Sequence, residues 1–284
     1  MVRCWREGLT IMSHARCRAH GLLAASAWCL IVLASVALAG SAETMRRYAA
    51  PEARQAVAVD ATHFFAIANR EIGKYDRGTG ARVARWRDGE GGRFVHLNSG
   101  VVIGGRLYCA HSNYPAVPMS SSIEVFDTAT LTHLESITVG KGHGSATYVD
   151  RFDHGWWVAF AHYAGRGGEP GRGPEHTTLV RYDDGWRQTG AWTFPPEVVT
   201  RWDGMSTSGG FWRRSDGLLY ATPHHAPELH VLRLPATGTR LELVRTIAVE
   251  SEGQGIAADP SDASLIWSIQ RRTSEVLVSK IKDD

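Results

Sequence analysis

The chain has 284 residues, of which 43% are hydrophobic and 21% charged, with a formal net charge of +2. A balance so close to neutral, without a run of lysines and arginines, argues against a nucleic-acid-binding surface. The hydrophobic content is that of an ordinary globular protein, and the length allows one large domain or two small ones.

The first segment differs from the rest. Arg3, Arg6, Arg16 and Arg18 precede an uncharged apolar run, LLAASAWCLIVLASVALA at 22–39, and two small-x-small sites follow, Ala37-Leu38-Ala39 and Gly40-Ser41-Ala42. A basic segment, an apolar segment and a small-residue site in this order mark a secretory signal peptide. Residues 1–42 are assigned to it, with Met12 as a second possible start. An uncleaved anchor is the alternative, because an apolar run of about 18 residues just spans a bilayer. The expected location is periplasmic or secreted, with no membrane attachment once the signal is cut. Cys4, Cys17 and Cys29 fall inside this segment. Cys109 remains, so the mature chain is expected to lack an intramolecular disulfide. Cys109 sits in an apolar run and is expected to be a buried thiol.

From residue 43 onward, short apolar or alternating runs recur between Gly, Asp, Pro and Ser turns. The first unit reads QAVAVD (55–60), HFFAIAN (63–69), EIGKYD (71–76) and ARVARW (81–86). The second reads NSGVVIGG (98–105), RLYCAHS (106–112), SIEVFD (122–127) and THLESITV (132–139). The third reads SATYVD (145–150), GWWVAFAHY (155–163), TLVRYD (178–183) and RQTGAWTF (187–194). The fourth reads MSTSGGFWR (205–213), LLYATPHH (218–225), ELHVLRL (228–234) and LELVRTIAV (241–249). The last has QGIAADP (254–260), LIWSIQ (265–270) and EVLVSKI (275–281), and the chain ends before a fourth run.

Five such units of about 35 to 50 residues predict an all-β, five-bladed β-propeller spanning 43–284 as one domain. The segment TMRRYAA (44–50) is expected to join the C-terminal blade as its fourth strand and close the ring, which removes two open sheet edges. A β-sandwich is the alternative. Small residues in the first strands suit a crowded axis. Phe65, Tyr108, Trp157, Tyr220 and Trp267 recur at one position of the second strands and are expected to pack between blades.

The stretches EIGKYDRGTGARVARW and SIEVFDTATLTHLESITV resemble secreted propellers of the SMP-30/gluconolactonase and NHL/YncE-like kind, which share a strand, an Asp-x-x-Thr-Gly-like turn and another strand. The unit count and Glu252-Gly253-Gln254-Gly255 at the start of the last unit also resemble plant-type glutaminyl cyclases. The resemblance covers most of 44–281 at the level of single blades. It implies a propeller fold, which hosts lactonases, cyclases, lyases, glycosidases and binding scaffolds alike. Most units here do not open with Glu-Gly, so the cyclase reaction is not carried over.

Two positions before Asn98, Ser145, Met205 and Gln254 stand His96, His143, Asp203 and Glu252. Around one axis these would converge. Two imidazoles and two carboxylates are a possible ligand set for one divalent metal, Ca, Zn or Mn, which can polarise a carbonyl or activate water. Without metal, His143, Asp203 and Glu252 are the candidate acid–base residues. The alternative is that each caps a strand end. The ends of the second strands supply a second set, Asn69, His111, His162, His224 and Gln270, which with Asn98 and Gln254 would line a pocket. Tyr114, Tyr163, His225, Arg271 and Arg272 lie beside them; Arg271 and Arg272 could each recognise a carboxylate or phosphate bidentately, with solvated loop charges as the alternative, and Arg272 is taken into the ligand-binding set.

GKGHGS (140–145) lacks the Lys-Ser/Thr ending of a phosphate loop, so no nucleotide cofactor is expected. AGRGGEPGRGPEH (164–176) reads as a polar loop able to cover one face. The expectation is a monomeric, exported propeller acting on a small molecule at the centre of one face, with hydrolase, lyase or cyclase chemistry. A non-catalytic propeller that binds a protein or glycan is the rival.

Overall fold

A computed structural model describes residues 40–282; the signal-segment assignment up to residue 39 lies outside them. The first strand is β1 (Ser41–Ala49). Next come β2 (Ala56–Val59), β3 (His63–Ala68), β4 (Glu71–Asp76) and β5 (Arg82–Arg87), then β6 (His96–Ile103), β7 (Arg106–Ser112), β8 (Ser120–Asp127) and β9 (His133–Lys141). The third group is β10 (Ser145–Phe152), β11 (Gly155–Ala161), β12 (Thr178–Tyr182) and β13 (Gln188–Thr193), followed by a short helix, α1 (Pro196–Arg201). The remaining strands are β14 (Thr207–Arg213), β15 (Leu218–Pro223), β16 (Glu228–Arg233), β17 (Glu242–Ala248), β18 (Ala257–Ala258), β19 (Leu265–Gln270) and β20 (Glu275–Lys282).

Three groups form separate four-stranded antiparallel sheets in sequence order, as adjacent runs joined by short turns should. The rest form an eight-stranded sheet ordered β14-β15-β16-β17-β1-β20-β19-β18. Its two halves meet through one parallel pair, Ser41 with Ala248. By contrast, β1 pairs along its whole length with β20, from Ser41↔Lys282 to Ala49↔Glu275. The N-terminal strand therefore completes the C-terminal group, as expected. It begins at Ser41, two residues inside the segment assigned to the signal.

Local chemistry sets the turns. Asp76 Oδ1 accepts the Thr79 N–H at 2.7 Å and its hydroxyl at 2.8 Å, and Asp127 does the same for Thr130 at 2.8 and 2.9 Å. A short polar side chain that bonds its own backbone three residues on fixes the tight turn.

The first strands of the groups pack against one another in a cycle, β2 on β6, β6 on β10, β10 on β14, β14 on β18 and β18 on β2. Space at their centre is scarce. A Cβ on Gly255 would lie 2.3 Å from Ala56 Cβ and 3.0 Å from Ser99 Cβ, and one on Gly209 would lie 2.6 Å from the Gln254 carbonyl oxygen. The small residues are thus required by close backbone approach.

Apolar clusters fill the space between successive groups. Ala56, Phe65 and Ile72 meet Leu97, Leu107 and Phe126, and Ala110 and Ile123 meet Trp156, Val158 and Phe160. Trp157 and Leu179 meet Trp212 and Leu219, Tyr220 and Val231 meet Ile256 and Ile266, and Trp267 and Val276 return to Val57 and Phe64. The recurring aromatics do pack between neighbouring sheets. Each fully buried large side chain contributes about 1.5–3 kcal/mol. Cys109 is fully buried as a free thiol.

Candidate functional site

The first strands all start at the same mouth of the axis. There, β6, β10 and β14 each carry a bulge, between Leu97 and Gly100, Ala146 and Tyr148, and Thr207 and Gly209. The residues in these irregularities are polar: Asn98 and Ser99, Thr147, and Ser208. A bulge bends its strand and re-aims a side chain.

A cavity of about 390 Å³ opens at this mouth. Each group of strands contributes to its wall. Gln55 and Asn69 come from beside β2 and β3, His96 and Asn98 from β6, and Tyr114 from the loop after β7. Tyr163 and Arg166 follow β11, Ser208 lies on β14, His224 follows β15 and Arg271 follows β19. No aspartate or glutamate is among the described residues of the wall.

The wall is held from behind. Gln55 Nε2 donates to Asn69 Oδ1 at 2.7 Å. Tyr114 packs on His96 at 5.1 Å between ring centroids and on Tyr163, edge to face, at 5.1 Å. Gln254 is buried, has a left-handed φ of 74°, and donates from Nε2 to the His224 carbonyl at 2.8 Å. Thr222 Oγ1 donates to the Gln254 carbonyl at 2.6 Å. Gln254 therefore positions the His224 turn from outside the cavity.

Both wall imidazoles are kept neutral. Burial depresses the pKa of His96 to about 4, assisted by the nearby His111 and Arg271. Burial depresses that of His224 to about 3, assisted by His225, Arg271 and His96. His96 makes no hydrogen bond through its ring among the described residues, while His224 Nδ1 pairs with His225 Nε2 at 2.7 Å, its one ring hydrogen bond among them. Arg271 is half-buried and has no ion-pair partner among the described residues. Burial and the Arg54 cation lower its pKa from the usual guanidinium value.

The four residues expected to share a metal do not assemble. His143 leans on Phe160, with ring centroids 5.1 Å apart, and feels the Arg172 cation. Asp203 is exposed just beyond α1, with a φ of 49°. Glu252 pairs with Arg272 at 2.6 Å. Only His96 of the quartet reaches the cavity. Among the described residues, no three His, Cys, Asp or Glu side chains form a group able to hold a cation, so the expected ligand set does not fit a metal here. The physical reason is register. Relative to the observed strands, His96 opens β6, His143 precedes β10 by two residues, Asp203 precedes β14 by four and Glu252 precedes β18 by five. Equal offsets in sequence runs became unequal heights along the axis.

The second set divides. Asn69, Asn98 and His224 line the cavity. His111 does not, because both ring nitrogens are engaged: Nε2 accepts the Val95 N–H at 3.1 Å and Nδ1 faces Ser122 Oγ at 3.0 Å. His162 is also a strut, donating from Nε2 to the His143 carbonyl at 3.0 Å. Gln270 Nε2 reaches the Glu250 carbonyl at 3.5 Å, outside the wall. Arg272 turns outward, and its neighbour Arg271 occupies the place expected of it.

The sequence reading did not select Gln55, Ser208 or Arg166. The first two had a signal: each is a polar residue directly before the small residues of a first strand, as Asn98 and Gln254 are. Arg166 comes from the 164–176 loop, which is folded against the rim. Gly167, at φ 79°, lies where a Cβ would fall 2.4 Å from the Tyr114 ring, and Glu169 accepts the Met119 N–H at 2.9 Å.

No protein-family model matches this sequence, and no curated protein matches it. Among solved structures, a glutaminyl cyclase of Myxococcus xanthus is similar with a TM-score of 0.57 and 15% identity, over 87% of this chain and 99% of that one. The chain is a β-propeller. A chain of a mitotic checkpoint complex is similar at a TM-score of 0.45 and 8% identity, over 95% of this chain and 99% of that one. At 15% identity the likeness to the cyclase concerns the fold alone.

Proposed function

We propose that the protein is an exported, monomeric five-bladed propeller that acts on a small molecule at the mouth of its axis, with His96 and His224 as the proton-transfer residues. The observation that carries this reading is the pair of neutral imidazoles on one cavity wall. A neutral imidazole has a free lone pair to accept a proton, and His96 has no internal partner that would occupy it. Asn98, Asn69 and Gln55 supply amides that orient a ligand, and Ser208 a hydroxyl. The chemistry is acid–base, of hydrolase, lyase or cyclase type.

The five-blade count rests on the cyclic packing of β2, β6, β10, β14 and β18, with β1 as the outer strand of the last blade. Signal cleavage after Ala39 would leave β1 whole, whereas cleavage after Ala42 would remove its first two residues.

One observation favours the rival reading, a propeller that binds a protein or glycan without turnover. Imidazoles held at about 4 and 3 are weak bases at neutral pH. A turnover screen separates the two. The mature domain is offered small esters, lactones, amides and glutaminyl substrates, the last because the Myxococcus neighbour is a glutaminyl cyclase. Turnover that falls about 100-fold or more in His96→Gln or His224→Gln supports the enzyme. Turnover indifferent to both variants, or absent throughout, removes it.

A further inference from the structure

The mouth holds cations without counter-charge. Arg271 lies half-buried on the cavity wall, Arg166 reaches the wall from the folded loop, and Arg54 sits behind, donating from Nη1 to the Arg271 carbonyl at 3.2 Å and to Ser274 Oγ at 3.1 Å. None of the three has an ion-pair partner among the described residues. Other partly buried arginines are paired closely. Arg82 meets buried Glu52 at 2.8 Å, Arg213 meets Asp216, Arg201 meets Glu228, and even Arg272, the exposed residue next to Arg271, meets Glu252. A guanidinium withdrawn from water without an anion is costly. Toward the mouth, Arg271 meets a wall whose other polar groups are neutral amides, hydroxyls and imidazoles and the rim cation Arg166; on its other side it shares with Arg54 a second cavity whose carboxylates, Glu71, Asp88 and Glu90, form no ion pair with either.

We infer that the ligand of this mouth is a small carboxylic acid, taken as its carboxylate by Arg271. The inference rests on the reading of the mouth as the place of action and adds the charge class of what it holds. A planar carboxylate matches the fork of a guanidinium bidentately. Arg166 adds long-range attraction from the rim. Asn98, Asn69 and Gln55 present amides to the rest of the molecule, and a cavity of about 390 Å³ admits a compact acid.

The bound charge would also tune the imidazoles. His96 faces His111, Arg271 and Tyr114, and His224 faces His225, Arg271 and His96. The charged or titratable groups that act on both rings are Arg271 and other imidazoles. A carboxylate placed among them offsets Arg271 and favours imidazolium, so the pKa of both rings rises toward the value at which imidazole is an effective base. Ligand and catalyst strength are then coupled: protons are taken up when an anion binds.

The test is isothermal titration of the mature domain with a series of carboxylates, acetate, benzoate, succinate and citrate, against their amides and inorganic phosphate. Each is run in two buffers of different ionisation enthalpy. We expect saturable binding of at least one carboxylate, with proton uptake that grows as the pH falls toward about 5, and about tenfold or greater loss for its amide. Arg271→Gln should lose about tenfold or more, Arg271→Lys should recover part of it, and Arg272→Gln should bind as the wild type does. Circular dichroism checks that each variant is folded. Amides that bind as tightly as acids, no effect of Arg271→Gln, no binding by any carboxylate, or phosphate binding about tenfold more tightly than every carboxylate would each overturn the inference. The enzyme reading fails separately. Carboxylate binding retained in a protein with no turnover leaves this inference standing, whereas turnover of uncharged molecules unaffected by Arg271→Gln leaves only the enzyme reading.

Discussion

Along β6 the side chains pass from His96 and Asn98 at one end to Val101, Val102 and Ile103 at the other, and the two ends of the axis follow them. The mouth described above is polar, has cations without partners, and shows no carboxylate in its described wall. The opposite end is a cavity of about 470 Å³ lined by Val101, Val102, Val149, Phe211 and Ile256, with Asp150 and Asp259 among them. Those two carboxylates are satisfied within the chain. Asp150 accepts the Trp212 and Arg151 N–H groups, each at 2.7 Å. Asp259 accepts Trp267 Nε1–H at 2.8 Å and pairs with Arg77. The same strands thus build one end whose carboxylates are answered within the chain and one whose Arg271 and Arg166 have no carboxylate partner among the described residues. An unanswered charge points to a ligand more strongly than cavity size does, since the apolar cavity is the larger of these two.

The comparison can be broken from the apolar end with the largest effect. Phe211 is buried and stacks on Tyr220 at 5.4 Å between centroids. Phe211→Ala should cost about 3–5 kcal/mol of stability in chemical denaturation, while carboxylate affinity at the mouth stays unchanged in the folded protein. A parallel loss of affinity would mean that the ends are not independent.

Asp150 gives the next largest effect. Burial raises its pKa from 3.8 to about 6. Since the folded pKa exceeds the unfolded one, its protonated form is favoured by folding, and stability is lost as pH rises from about 4 through about 6. The expected loss is about 3 kcal/mol. Asp150→Asn should flatten denaturation midpoints across that window relative to the wild type. An unchanged slope would show that the two backbone N–H groups fully compensate for burial.

A carboxylate placed at the mouth should make the two ends alike. Asn98→Asp would give Arg271 and Arg166 an internal anion, and carboxylate binding should weaken about tenfold or more in the same titration. Binding left intact would show that Asn98 does not share a field with the arginines. The smallest effect belongs to Arg272→Gln, which removes an exposed pair with Glu252 and should shift stability by less than about 0.5 kcal/mol.

Much of this architecture was legible in the sequence, because it depends on patterns that repeat. The alternating runs, the Asp-to-Thr turns at Asp76 and Asp127, and the aromatics at Phe65 and Trp267 each answer to local chemistry, and β1 was expected beside the last group because that group lacked a strand. The site was less legible because it depends on where strands begin. Bulges at Asn98, Thr147 and Ser208 shift the polar residues by one position. The helix α1 intervenes before β14 and carries Asp203 away from the axis, and six residues are too few for a helical period to show. β18 has two residues, so Glu252 lies in the irregular segment before it. The choice of Arg272 over Arg271 turned on a single position in a turn, where consecutive side chains diverge.

The most direct test of the account is an NMR pH titration of the histidine rings in the free protein, with His96→Gln and His224→Gln used to assign them. The account predicts that both rings remain neutral down to about pH 5, and that both pKa values rise in Arg271→Gln. Rings that titrate near the ordinary 6.5, or that ignore the loss of Arg271, would contradict a mouth governed by burial and an unpaired guanidinium.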